Sequence, residues 1–120
     1  MSDNFREWAE GYFAIDENGN GDNLNTEIIR EKAYEDYKRF SGVSKITMQK
    51  FSKSLRAFCY TCAYVSELNP ADLHNSGSRI LRRIENPFTH VKEVKEMIYV
   101  RSVREAERLR SQPRLSFDTE

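Results

Sequence analysis

The sequence predicts a mainly α domain with a small β-hairpin, arranged as a winged helix-turn-helix of three helices plus wing. Three observations lead there. Apolar residues recur at helical spacing in three successive segments between Phe5 and Val65. Past Glu67 the character changes, and two short segments rich in Ile, Tyr and Val flank a polar loop, as in a hairpin. Residues 37–64, which contain the third helical segment, hold six basic side chains and no acidic one. Helices two and three would form the helix-turn-helix and the hairpin its wing.

In "FREWAEGYFAI", Phe5, Trp8, Ala9, Tyr12 and Phe13 fall on one face of an amphipathic helix, with Ser2 or Asp3 as its cap. The Gly- and Asn-rich "DENGNGDN" ends it. A second helix is expected from about Thr26 to Phe40, with Ile29, Ala33, Tyr34, Tyr37 and Phe40 inward and Gly42 as a left-handed C-cap. Thr47 caps the third, "MQKFSKSLRAFCYTCAYV", where Met48, Phe51, Leu55, Phe58, Cys62 and Val65 recur at steps of three to four. "ELNPADLHNSGS" reads as a loop with a short helical turn from Pro70. "RILRRIE" and "EMIYVRS" read as strands, with "NPFTHVKEVK" as a long loop between them. Residues 1–102 form the domain, and residues 103–120 a charged, partly helical or disordered C-terminal tail.

A chain of 120 residues suits one domain with a modest core. No apolar run reaches the ~18 residues of a membrane span, and "MSDNFREWAE" has neither the basic nor the apolar region of a signal peptide. Two cysteines without an export signal suggest free thiols and a cytoplasmic location.

The net charge of zero conceals a segregation. Residues 1–36 carry ten acids and three bases, a balance of −7; residues 37–64 carry +6; residues 65–120 carry +1. A one-sign segment in a neutral chain is the footprint of an anion-binding face, where a solvated Lys-rich helix exterior is the plainer explanation. With Phe51, Leu55 and Phe58 inward, Gln49, Lys50, Lys53, Ser54 and Arg56 lie on the outer side of the third helix, and Lys45 and Thr47 at its entrance. These side chains suit base edges and phosphates, and the helix start suits a phosphate. In the hairpin, Arg82, Arg83, Lys92 and Lys95 would add an auxiliary grip, offset by Glu85, Glu93 and Glu96, while His90 reads as a solvated loop residue.

Two motifs point elsewhere and fail on context. "DENGNGDNLNTE", Asp16 to Glu27, satisfies the EF-hand pattern. Its eighth position, however, is Asn23, and the helix after it would present Glu31, Lys32 and Glu35 where apolar residues are required. Asn18 and Asn20 leave only Asp16 and Glu27 as carboxylate ligands. The stretch reads as a polar connection whose Asn25 or Thr26 starts the next helix. "CYTC", Cys59 to Cys62, lacks a second C-x-x-C, and His74 and His90 are too far apart for a zinc knuckle. Placed mid-helix, both thiols read as small core hydrophobes. No nucleotide, nucleophile-elbow or metalloprotease motif occurs, so the chain is expected to be no enzyme and to need no metal, cofactor or small-molecule substrate.

"WAEGYF", "EKAYEDYKRFSG", "TMQKFSKSLRAFC", "ELNP" and the pair "RILRRI" and "EMIYVRS" together resemble the C-terminal region of phage- and plasmid-type primase-helicases. These are the virulence-associated-protein-E-like and poxvirus-primase-like replication proteins of mobile elements. The resemblance spans roughly residues 5–102 and rests most on "AYEDYKRF" followed by "KFSKSLRAF". It implies a winged-helix module beside a helicase-type ATPase, engaging duplex or fork DNA, with Thr47–Tyr64 as recognition helix and Arg79–Ser102 as wing. No Walker motif is present, so any ATPase or primase activity would belong to another part of a longer protein. The sequence therefore predicts a DNA-binding module. The rival reading is a protein-interaction module whose acidic first third docks a replication partner or a neighbouring subunit.

Overall fold

A computed structural model describes residues 2–43 and 45–111. The order is α1 (Asp3–Tyr12), β1 (Glu27–Ile29), α2 (Arg30–Ser41), α3 (Met48–Thr61), β2 (Val65–Leu68), a 3-10 turn (Ala71–Leu73), β3 (Ile80–Glu85), β4 (Lys92–Ser102) and α4 (Val103–Arg110). This corrects the expected fold class. Over the described residues the chain is mixed α/β, with four α-helices and a four-stranded antiparallel sheet, where the sequence indicates three helices and a two-stranded wing.

The correction has a local cause at each strand. β1 occupies the start of the expected second helix because Asn25 fixes the chain to the edge of β4. Its N–H donates to the Val100 carbonyl at 2.8 Å, and its Oδ1 accepts the Ser102 N–H at 2.9 Å. Asn25 takes φ of 60°, a left-handed value that turns the chain rather than starting a helix. Glu27, Ile28 and Ile29 then pair with Tyr99, Ile98 and Met97. The third helix stops at Thr61, with extended backbone at its C-cap Cys62. Val65 enters β2, opposite Ser102. Cys62 is thus a helix terminus and not a mid-helix residue.

β4 is the spine. Met97 pairs with Ile29 on one side and Ile80 on the other, so β1 and β3 flank it. β2 follows β3 along the second edge, opposite Val100–Ser102. β4 begins at Lys92, so the hairpin connection is only residues 86–91, shorter than expected. Past β4 the chain stays ordered: Ser102 caps α4, and the Val103 N–H donates to the Tyr64 carbonyl at 2.9 Å. The remainder of the expected tail, residues 112–120, lies outside the described residues.

The inward stripes hold from Phe5 to Phe13 and from Phe51 to Phe58. Ser2 caps α1, its side chain accepting the Phe5 N–H at 3.2 Å, and Gly42 ends α2 at φ of 70°. Phe5, Trp8, Ala9 and Phe13 pack with Ala33 and Tyr37 of α2, with Phe51, Leu55 and Phe58 of α3, and with Ile98 and Val100 of the sheet. Trp8 Nε1 donates to Asp36 at 2.8 Å, so the buried indole keeps its partner. Phe40, expected inward, is half exposed at the far end of α2.

Arg101 is the one charged side chain among the buried residues described; it meets Asp72 in a two-pronged pair at 3.0 Å each. The guanidinium bonding to Asp72 holds that carboxyl below its ordinary pKa. A depressed carboxylate contributes stability above its unfolded pKa and loses it as pH falls through the folded one. Asp72→Asn is therefore expected to cost about 1 kcal/mol at neutral pH, because the carboxylate remains largely in water. Urea unfolding across pH should show that difference closing in acid; a difference constant with pH would contradict the pair.

Candidate nucleic-acid interface

α3 runs from its cap at Thr47, whose Oγ1 accepts the Lys50 N–H at 3.1 Å. The Tyr34 hydroxyl donates to the Ile46 carbonyl and ties the segment before α3 to α2. At about 100° per residue, Phe51, Leu55 and Phe58 on the core side leave Gln49, Lys53, Arg56 and Tyr60 pointing outward. Gln49, Lys50, Lys53 and Arg56 are exposed, and Ser54 is half-buried at the flank.

This side has two depressions. Lys45, Lys50, Lys53 and Ser54 line a cleft of about 500 Å³ between α3, the end of α2 and the start of α1, floored by Tyr37 and Ala57. Among the described residues no acidic side chain lines it, and the first turn of α3 carries none. The positive end of the helix therefore adds to the lysines. On the other flank, Arg56 and Tyr60 border a depression shared with β2 and His74. His74 is held by the Asn69 carbonyl at 2.7 Å.

The hairpin residues divide by strand alternation. In register, Arg83 faces Val94 and Glu85 faces Lys92, so Arg83 and Lys92 share one face. Further along β4 that face carries Ile98 and Val100 into the core. Arg30 links it to α3, contacting Glu96 at 3.3 Å and Ser52 Oγ at 3.4 Å. Arg82 and Lys95 lie on the opposite face and are already paired. Arg82 meets Glu27 at 2.5 Å, and Lys95 meets Glu31 and Glu93 at 3.3 Å each. These two hold the hairpin against β1 and α2; of the four, Arg83 and Lys92 form no salt bridge among the described residues, with Glu85 opposite Lys92 in register.

Among the described residues, Lys45, Lys50, Lys53, Arg56, Arg83 and Lys92 form no salt bridge, and neither do Arg6, Lys32, Arg104 and Arg110, whereas Arg30, Lys38, Arg39, Arg79, Arg82, Lys95, Arg101 and Arg108 all do. Thr47 acts as a cap. Two exposed aromatics near this set escaped the sequence reading: Tyr60 is 91% and Phe88 90% exposed. Tyr60 was detectable, since it continues the outward stripe four residues past Arg56.

The other sequence motifs have structural roles. Asp16 Oδ1 accepts the N–H groups of Asn18 and Asn20 at 2.9 Å each, closing the polar loop on itself. Glu27, the would-be twelfth ligand, is in β1 on Arg82. Cys59 is buried, and burial first, then Cys62 beside it, push its thiol up to about 12. His90 Nδ1 lies 3.1 Å from Glu85.

No described helix is long and apolar enough to cross a membrane. Compared with protein-family models, curated proteins and solved structures, the chain matches none.

Proposed function

We propose that this chain is a DNA-binding module, gripping duplex DNA with the outward side of α3 and steadying it with Arg83 and Lys92 of the hairpin. The observation that carries the reading is the cleft lined by Lys45, Lys50 and Lys53, and by no acidic side chain among the described residues, beside the positive end of α3. Three cations lining one cleft suit an anionic ligand, and a phosphate backbone supplies anions at regular spacing. Gln49, Lys53 and Arg56 present the donors that read base edges. The module acts in the cytoplasm and carries no catalysis of its own. The resemblance to primase-helicase C-terminal regions suits this role, with an adjoining ATPase supplying any catalysis.

Fluorescence anisotropy of a labelled duplex tests it. Wild type should bind at ~50 mM salt, and the double variant Lys50→Glu, Lys53→Glu should lose binding altogether. A double variant that binds like wild type, with unchanged melting temperature, would remove α3 from the interface and leave the acidic first third as the docking surface for a protein.

A further inference from the structure

β3 is shielded along the first part of its outer edge and open along the rest. Leu81 turns both main-chain groups away from β4. Its N–H donates to Asn75 Oδ1 at 2.8 Å, and its carbonyl accepts from Asn75 Nδ2 at 2.9 Å. Arg79, just before the strand, is met by Ser76, the two exchanging main-chain hydrogen bonds at 3.0 and 3.2 Å. Alternation turns Arg83 and Glu85 outward as well. Asn86 fixes that phase, since it faces β4 and donates its N–H to the Val91 carbonyl at 2.9 Å. Among the described residues, β3 pairs with β4 alone, and nothing meets the outward main-chain groups of Arg83 and Glu85.

An open strand edge is a template for a further strand, and this one complements itself. Two copies related by a two-fold axis pair antiparallel here, with outward residues opposite outward residues. Centred on Arg83, such a pairing sets Arg83 against Arg83 and aims Glu85 at the satisfied Leu81. Centred on Glu85, it sets Glu85 against Glu85 and Arg83 against Pro87, which has no N–H. Centred on Ile84, it places Arg83 of each copy opposite Glu85 of the other, and each pair exchanges main-chain hydrogen bonds in both directions. The half-buried Ile84 side chains then meet at the centre, at the spacing where cross-strand side chains come closest. Both charges are available. Arg83 is exposed and without a salt bridge among the described residues, and Glu85 meets His90 with its side chain about half exposed.

We propose that two copies of this chain pair through their β3 edges, joining the hairpins into one antiparallel sheet centred on Ile84. The pairing does not depend on DNA. The contact is short and belongs with weak, concentration-dependent interfaces. At the low protein concentrations of a DNA titration Arg83 therefore stays free for a phosphate.

Sedimentation equilibrium of the full chain, up to ~1 mM, tests it through charge reversal. The apparent mass of wild type should rise with concentration toward twice that of one chain. Arg83→Glu and Glu85→Arg should each weaken association at least ~tenfold, because each sets like charges opposite one another. Both should keep the wild-type melting temperature. An equimolar mixture of the two single variants should associate again, since every cross-strand pair is then of opposite sign, and so should the double variant carrying both reversals. A wild type that stays monomeric throughout overturns the proposal. So does a dimer that both single variants leave intact, which puts the contact elsewhere. Single variants that stay apart even when mixed overturn the register centred on Ile84 and the proposal with it.

Discussion

Phe51→Ala is expected to remove about 3–5 kcal/mol of stability, a large part of the 5–15 kcal/mol a domain of this size commands. Phe51 is fully buried on the inward side of α3. Its ring lies 5.6 to 6.0 Å from those of Phe5, Trp8, Tyr34 and Tyr37, so one side chain joins α1, α2 and α3. Truncation leaves a void among rigid aromatics that cannot collapse easily. Because Phe51 also anchors the helix that carries Lys50 and Lys53, its truncation should weaken the proposed DNA contact as well. Thermal unfolding followed by tryptophan fluorescence checks this, since Trp8 sits in the same cluster. A melting point within a few degrees of wild type would mean that α3 is not held through this contact.

The second large effect is on salt dependence. Six cations lie on the proposed interface without an ion pair among the described residues: Lys45, Lys50, Lys53, Arg56, Arg83 and Lys92. If each neutralises a phosphate, the released counterions give log K against log salt a slope of about −5. Affinity should then fall by roughly three orders of magnitude between ~50 and ~200 mM salt. Arg82 and Lys95 do not enter the count. Their charges are already met by Glu27, Glu31 and Glu93, and removing them should loosen the hairpin rather than change the slope.

The division between Arg82 and Arg83 shows what could be read in advance. Strand alternation alone puts neighbouring residues on opposite faces, so the two could not share one surface. Their partners could not be inferred, because Glu27 and Glu31 lie 55 and 64 residues from the side chains they meet. α1 and α3 were legible because five or more apolar residues keep helical spacing and a Ser or Thr stands at each start. β1 was not: three residues, two of them Ile, merge into the periodicity of α2. β2 was hidden in the same way, since Val65 continues the stripe of α3. In both cases the deciding contact is with β4, up to 77 residues away, through Asn25 and Ser102. Local pattern carries no record of such pairing.

The outward residues of α3 followed directly from its inward stripe. The cleft did not, because its other walls come from the start of α1 and the end of α2. Phe88 stands in a polar turn, where an apolar side chain is itself the signal of an exposed ring.

The most direct test is the slope of log K against log salt for a labelled duplex, measured for wild type and for Lys50→Ala with Lys53→Ala. An α3 that grips DNA through these lysines predicts a wild-type slope near −5 and a slope about 2 units shallower in the variant. A wild-type slope near zero, or a slope the variant leaves unchanged, would contradict it.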